Sequence, residues 1–400
     1  MHFADIHIGM ENYGKIDNLT GMNFRFMDFL NSFDELIVKA KNINPDLIVF
    51  AGDAYRDRNP TPTHQREAAL RFKKLALIAP TILVVGNHDL PQALEKANTL
   101  DIFSALEVEN IIVFRRPTLK VIQSKSGSVQ VLALPWITKS KLLEKDQFLG
   151  KSADETQILL AQKLNQITKK FIDKINPKIP AVAVVHATCE NATFGSERSV
   201  MLGTDLILSE KSFISPKIQY VGLGHIHKFQ VLRENPPIIY AGSIDRIDFG
   251  EEKDAKGFVV ADIEVGKKTE YKFIKLSVRP FKTINLKLDY FDDSLEKTIK
   301  KQIGHANFKN TVVRVKVKMP ADLIGQVNEH LIRKYLNDAF HIVSITFETP
   351  QTRKIKQTVF LEQGETPLKT LIHYLEINKV SSKKREQLIK YAKDLIEERE

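Results

Sequence analysis

The stretch TILVVGNHDLP, residues 81–91, opens with an apolar run of the kind a buried strand uses and stops at Gly86. Asn87, His88 and Asp89 follow at once, so three polar, ligand-capable side chains stand at the mouth of that strand. One such ending is an ordinary turn. Here it recurs: FADIHIG (3–9) carries Asp5 and His7, IVFAGD (48–53) ends at Asp53, AVVHA (183–187) holds His186, and YVGLGHIH (220–227) delivers His225 and His227. Five of the chain's 11 histidines sit at these places, which scattered core histidines would not do. In α/β sheets, sites form outside the carboxyl ends of strands.

Between the endings the sequence alternates strand and helix. NFRFMDFLNSFDELIVKAKNI (23–43) spaces Phe26, Phe29, Leu30, Phe33 and Ile37 as one helical face. TPTHQREAALRFKKLALI (61–78) reads as the next helix. VQVLALPW, PAVAVVHAT, IQYVGLGHIH, PPIIYAGS and GFVVADIEV supply further strands. The pattern predicts a layered α/β fold with antiparallel strands mixed into a largely parallel arrangement. Only about four residues precede the polar positions of FADIHIG, a short first strand against the usual ~5–6, or one whose start lies upstream.

Composition sets the bounds. At 400 residues, two or three domains are expected. The single cysteine, Cys189, cannot form an internal disulfide or a cysteine-cage zinc site. No apolar run approaches the ~18 residues of a membrane span, and no leader pattern opens the chain, so the cytoplasm is the expected compartment. A net charge of +10 favours a polyanionic partner such as nucleic acid. FLGKS (148–152) is not a phosphate loop, because Lys145 stands where the pattern needs glycine and a helix-like segment precedes it.

From residue 276 the pattern changes to strand, helix, strand, helix, strand, a small α+β (βαβαβ) unit ending near residue 350. Residues 351–365 read as a linker. Residues 366–400 read as two short amphipathic helices, with Leu368, Leu371, Ile372 and Leu375 on one stripe and Leu388, Ala392, Leu395 and Ile396 on the other. Helices this short are marginal alone and need a surface to cover them.

The gathered side chains offer oxygen and imidazole nitrogen without thiolate, a set that suits manganese, iron or magnesium, with zinc possible. They are too many for one tetrahedral ion; two ions sharing a carboxylate would use them all. Two divalent ions outweigh Asp5, Asp53 and an ionised water in charge, so the site would attract a phosphodiester. His88 is the candidate general acid, with Asp89 expected to orient it.

The ordered set Asp5-x-His7, Gly52-Asp53, Gly86-Asn87-His88-Asp89, His186 and Gly224-His225-x-His227 resembles the calcineurin-like metallophosphoesterases. GHIHKFQ, YAGSIDRIDFGEE, KGF, the βαβαβ unit and the helical pair resemble one branch, the SbcD-type nucleases, over nearly the whole chain. The resemblance implies a metallophosphoesterase β-sandwich flanked by helices over residues 1–275 and a DNA-capping domain over 276–350. It also implies a tail that docks on an SbcC-type coiled-coil ATPase, and a homodimer within a heterotetramer. It places one Mn²⁺ on Asp5, His7, Asp53 and His227, and a second on Asp53, Asn87, His186 and His225, with Mg²⁺ or another divalent ion as the alternative. The implied activity is 3′ to 5′ exonucleolytic on duplex DNA and endonucleolytic on single strands, in repair and recombination.

One departure stands out. The family often has His or Asp three residues after the bridging aspartate, where this chain has Arg56. Two roles stay open there: Arg56 on the phosphate, or Asp57 in the supporting position. Lys15, Arg25, Arg56, Arg58, Lys139 and Lys141 are candidates for DNA phosphate contact. A phosphodiesterase or phosphatase for a non-DNA substrate is the first rival reading, and a DNA-end-tethering scaffold the second.

Overall fold

The computed structural model describes residues 1–91, 96–138, 151–195, 207–289, 294–304, 307–320, 323, 325, 327–349, 367–377, 380 and 382–397. Two six-stranded sheets dominate it. The first runs in the order Glu270–Lys275, Gly257–Asp262, His2–Phe3, Ile48–Phe50, Thr81–Val84, Ile111–Phe114. Its last four strands are mutually parallel and its first two antiparallel. The second runs Gln230–Glu234, Pro237–Tyr240, Tyr220–Gly224, Ala181–His186, Gly127–Leu134, Thr118–Ser124, with four parallel strands inside and an antiparallel partner at each edge.

Alternation within these strands explains why they read as apolar throughout: both faces are buried. Ala4, Val49, Ile82 and Val84 of the first sheet pack with Val131, Ala133, Val182 and Val184 of the second, forming the layer between the sheets. Phe3, Phe50 and Leu83 point the other way, onto Leu30, Phe33, Phe72 and Leu75. Those residues belong to the helices Phe24–Ile43 and Pro62–Ala76. Leu132, Leu134, Ala183 and Val185 likewise meet Leu160 and Leu164 of the helix Ala153–Asp173. The order of layers is therefore helix, sheet, sheet, helix. Each fully buried Phe, Leu or Ile in them contributes about 1.5–3 kcal/mol.

Local chemistry sets the helix ends. Asn23 caps the first helix by accepting the Arg25 N–H at 2.8 Å, and Asn44 ends it in the left-handed conformation at φ 51°. Thr61 followed by Pro62 starts the second. Ser152 and Glu155 form a reciprocal capping box at the start of the helix Ala153–Asp173.

The small unit is a three-stranded, wholly parallel sheet of Phe281–Lys287, Val312–Lys318 and His341–Glu348. The helices Leu295–Ile303 and Glu329–Tyr335 pack on it through Ile299, Ile303 and Ile332. It belongs to the same compact unit as the sandwich, Met1–Glu348, and meets it through Phe249, Phe281, Val312, Tyr13 and Phe340. Residues 349–400 form a second compact unit whose helices are Pro367–Ile377 and Ser382–Glu397. The linker expected over 351–365 lies outside the described residues.

Arg25 is not available to DNA, contrary to its place among the candidates. It is fully buried, and its guanidinium meets Asp28 at 2.6 Å, Asp245 at 3.1 Å and the Arg246 carbonyl at 2.5 Å. Arg279 clasps the other side of Asp28 with two bonds of 2.7 Å and stacks over Phe340 at 3.6 Å. A basic residue near a sequence motif is expected to be exposed, whereas the returning chain at Asp245 covers it. Replacing Arg25 with Met would leave Asp245 without its cation, and we expect a loss of about 3–5 kcal/mol. Urea unfolding of wild type against Arg25→Met checks this; a change below about 1 kcal/mol would show that the pair is idle.

Candidate metal centre

All the polar endings lie at carboxyl ends of parallel strands, at one end of the sandwich. Asp5 and His7 follow His2–Phe3, Asp53 follows Ile48–Phe50, and Asn87 and His88 follow Thr81–Val84 in the first sheet. His186 is the last residue of its strand, and His225 and His227 follow Tyr220–Gly224, in the second. Two glycines allow the sheets to meet there. A Cβ on Gly224 would lie 2.0 Å from the Ala51 carbonyl oxygen, and one on Gly52, at φ +96°, would lie 2.2 Å from His186 Nδ1.

The ligand-bearing segments leave the extended conformation. Asp5, His7, Asp53 and His225 have φ of 52°, 48°, 62° and 99°. The loop of Asp5 and His7 instead follows the neighbouring chain: Asp5 N–H donates to the Gly52 carbonyl at 2.9 Å, and Ile6 and His7 N–H both donate to the Asp53 carbonyl, at 2.9 and 3.1 Å. His225 and His227 face different partners. His225 Nδ1 lies 2.9 Å from Asn87 Oδ1, while His227 Nε2 lies 3.0 Å from His7 Nε2.

Three groups result. Asp5, His7 and His227 form one; Asp53, His186 and His225 form another; and His7, Asp53 and His88 link them, with ligand atoms in each group within 4.8 Å of one another. Asp53 Oδ2 stands 3.9 Å from His7 Nε2 and 3.4 Å from His186 Nε2, between the first two groups. Asn87 Oδ1 reaches both His186 Nε2 and His225 Nδ1 at 2.9 Å. Carbonyl oxygens only accept, so the Ala51 carbonyl at 2.6 Å from His186 Nδ1 places a proton on Nδ1 and leaves Nε2 as the nitrogen that would release its proton to a cation. The same logic applies to His88, whose Nδ1 lies 2.6 Å from the Arg56 carbonyl. Its main-chain N–H donates to Asp53 Oδ1 at 2.9 Å.

Charges crowd this buried place. Burial pushes the Asp5 carboxyl up to about 7. Burial alone would also raise Asp53, but His186, His88 and His7 hold it well below the usual carboxylate range. His186 is lowered by burial yet carried to about 9 by Asp53 and Asp5. Five imidazoles and three oxygen-bearing side chains turned toward one another, all hard or borderline donors, fit divalent cations.

Residues 1–229 match the family model of the calcineurin-like phosphoesterases. The chain belongs to that family. As a calcineurin-like phosphoesterase it is a metal-dependent enzyme, and the convergent groups are where its divalent ions would be held. It is also similar to the D component of the nuclease SbcCD of Staphylococcus epidermidis, 28% identical over 306 residues and 75% of each chain. The protein of the same name from Staphylococcus saprophyticus is 26% identical over 317 residues and 77% of each chain.

In this phosphoesterase Asp89 does not orient His88. Its carboxylate, fully buried, accepts the N–H groups of Asp53 and Ala54 at 3.0 Å and of Gly86 at 2.9 Å. It ties together the loops that carry Asp53 and Asn87. The oxygen that His88 Nδ1 meets belongs to the main chain of Arg56, the residue that departs from the family pattern. Arg56 is half-buried and Arg58 exposed in the turn after Asp53, while Lys15 lies over the rings of Phe340 at 5.0 Å and Phe24 at 5.8 Å. Lys139 and Lys141 lie outside the described residues.

Two participants escaped the sequence reading. Trp136 packs on His225 with ring centroids 4.7 Å apart and on His186 at 6.0 Å. Glu251 lies 3.0 Å from His227 Nδ1. A lone Trp after an apolar strand and a Glu in a charged turn carry no spacing signal of their own.

Ligands must shed protons before a cation binds. With Asp5 at about 7 and His186 at about 9, lowering the pH from 8 to 6 protonates both more fully and weakens binding. Calorimetric titration with Mn²⁺ at pH 7 in buffers of different ionisation enthalpy should therefore show proton release. A heat independent of buffer would contradict this charge state.

Proposed function

We propose that this chain is the nuclease component of a DNA-processing complex. In this reading it hydrolyses phosphodiesters as a 3′ to 5′ exonuclease on duplexes and an endonuclease on single strands. Asp5, His7, Asp53 and His227 hold one Mn²⁺, and Asp53, Asn87, His186 and His225 the other. The observation that carries the reading is Asp53, a single buried carboxylate standing between two imidazole-rich groups with the half-buried His88 attached to it. Likeness to the two staphylococcal SbcCD components supports DNA as the substrate, since it spans 306 and 317 residues and so runs past the 229 of the family match. The net charge of +10 supports the same substrate.

Bound divalent ions would supply an ionised water near neutral pH and neutralise charge on the phosphate. The protein's own part is positional. The Arg56 carbonyl keeps the His88 proton on Nδ1, which leaves Nε2 to deliver a second proton to the leaving oxygen. Asp89 fixes the Gly86 and Asp53 loops against each other, so His88 and the shared carboxylate keep one geometry. Arg56, Arg58 and Lys15 are the proposed phosphate contacts. An SbcC-type ATPase is the proposed partner, bound by residues 366–400 in a heterotetramer built on a homodimer. A DNA substrate in turn puts the chain in the cytoplasm.

End-labelled duplex incubated with Mn²⁺ tests this. His88→Ala should slow digestion by about 10²–10⁴-fold, the usual contribution of a general acid, with Mn²⁺ stoichiometry unchanged. Asn87→Ala should lose one ion together with cleavage. Wild-type digestion by both variants would remove the assignment of these residues, and turnover of a generic phosphodiester without any digestion of duplex ends would remove DNA as the substrate. Affinity for DNA should also fall linearly in log–log form with salt.

A further inference from the structure

Glu251 is charged, wholly buried and, among the described residues, absent from every ligand group, yet it touches one of the ligands. Oε1 lies 3.0 Å from His227 Nδ1. Oε2 lies 2.7 Å from Lys256 Nζ and accepts the Ile247 N–H at 2.9 Å. Lys256, also buried, donates onward to the His227 carbonyl at 2.9 Å and to Ser243 Oγ at 2.8 Å. The ring and the main chain of His227 are therefore gripped by one ion pair. A carboxylate on Nδ1 holds the proton there, leaves Nε2 unprotonated, and makes that nitrogen more basic. Burial alone would push the Glu251 carboxyl up; Lys256 and His227 hold it down to about 2.

The turn that carries Glu251 is itself fixed. The Phe249 ring packs on Phe281 at 4.9 Å and lies under the Arg314 guanidinium at 4.3 Å. The Glu252 carboxylate accepts the Thr283 hydroxyl at 2.6 Å. Phe281, Thr283 and Arg314 all belong to the small βαβαβ unit.

We infer that Glu251 is a positioning residue for the ion held by Asp5, His7 and His227, acting by fixing the tautomer and orientation of the His227 ring. The inference rests on the two-ion reading of the centre.

The test compares two charge-balanced pairs with wild type. Glu251→Leu with Lys256→Met removes both charges and the acceptor. Glu251→Gln with Lys256→Met removes both charges but keeps an oxygen for His227 Nδ1–H. Metal-free full-length protein is titrated with Mn²⁺ by calorimetry and by electron paramagnetic resonance of the free ion. The Leu/Met pair should weaken one of the two sites about 10–100-fold and spare the other. The Gln/Met pair should return toward the wild-type value, which mere charge balance with Lys256 would not produce. Wild-type affinity at both sites in the Leu/Met pair, or equal weakening in the two pairs, overturns the role of Glu251. Failure of wild type itself to bind two ions overturns the centre, and with it this inference. A second measurement needs no variant of uncertain folding. In wild type loaded with Mg²⁺ and ¹⁵N-histidine, the His227 Nδ1–H should resist exchange with water, and rapid exchange overturns the proposal.

Discussion

Asp53 is the constraint on which the site depends. Its carboxylate is buried among imidazoles, one oxygen bonded to the His88 main chain and the other facing His7 and His186. Its carbonyl receives the N–H groups of Ile6 and His7. Side chain and main chain of one residue thus locate the loops after three strands. The residue is held at φ 62°, a conformation that costs about 1–3 kcal/mol for a non-glycine. Asp5, His7 and His225 share that cost. The helix–sheet layers on each flank outweigh it, and the strain is concentrated where ligands must leave the pleat and turn inward.

Each group that would hold an ion takes side chains from both sheets. Asp5 and His7 come from the first and His227 from the second; Asp53 and Asn87 come from the first and His186 and His225 from the second. Neither sheet alone contains a centre. Packing of the two sheets is therefore part of the chemistry, and the small residues at their carboxyl ends serve it directly. Gly224 against Ala51, and Gly52 against His186, set a separation that side chains would widen.

The layered fold was legible, and the seven proposed ligands could be singled out, because they follow one rule, an apolar strand interrupted by His, Asp or Asn. The rule failed on conformation. Alternation assumes that the strand continues, but the first strand ends at Phe3 and the later one at Gly224, so the loops obey backbone hydrogen bonds to residues distant in sequence. It failed again wherever a main-chain atom does the work. Nothing in the identity of Arg56 announces that its carbonyl holds His88, and nothing in Asp89 announces that its carboxylate serves three N–H groups. Arg25 misled for a related reason: its neighbours in space, Asp245 and Arg246, lie 220 and 221 positions away.

The turn Phe249–Glu251 joins the two halves of Met1–Glu348 in a way that periodicity could not disclose. Phe249 and the adjacent Glu252 face the βαβαβ unit, and Glu251 faces His227. With side chains on successive residues committed in opposite directions, the turn cannot rotate without disturbing one partner or the other. Arg246 stiffens it further, donating to the Glu251, Asp254 and Arg279 carbonyls. Arg279 in turn clasps Asp28 on the first helix and covers Phe340 of the small unit. A displacement of the βαβαβ unit would have to break this chain of contacts or transmit through it to the imidazole of His227. The small unit and the centre are thus mechanically joined through apolar, hydrogen-bonded and charged side chains, of which the buried Glu251–Lys256 pair holds its geometry because leaving either partner unpaired is costly.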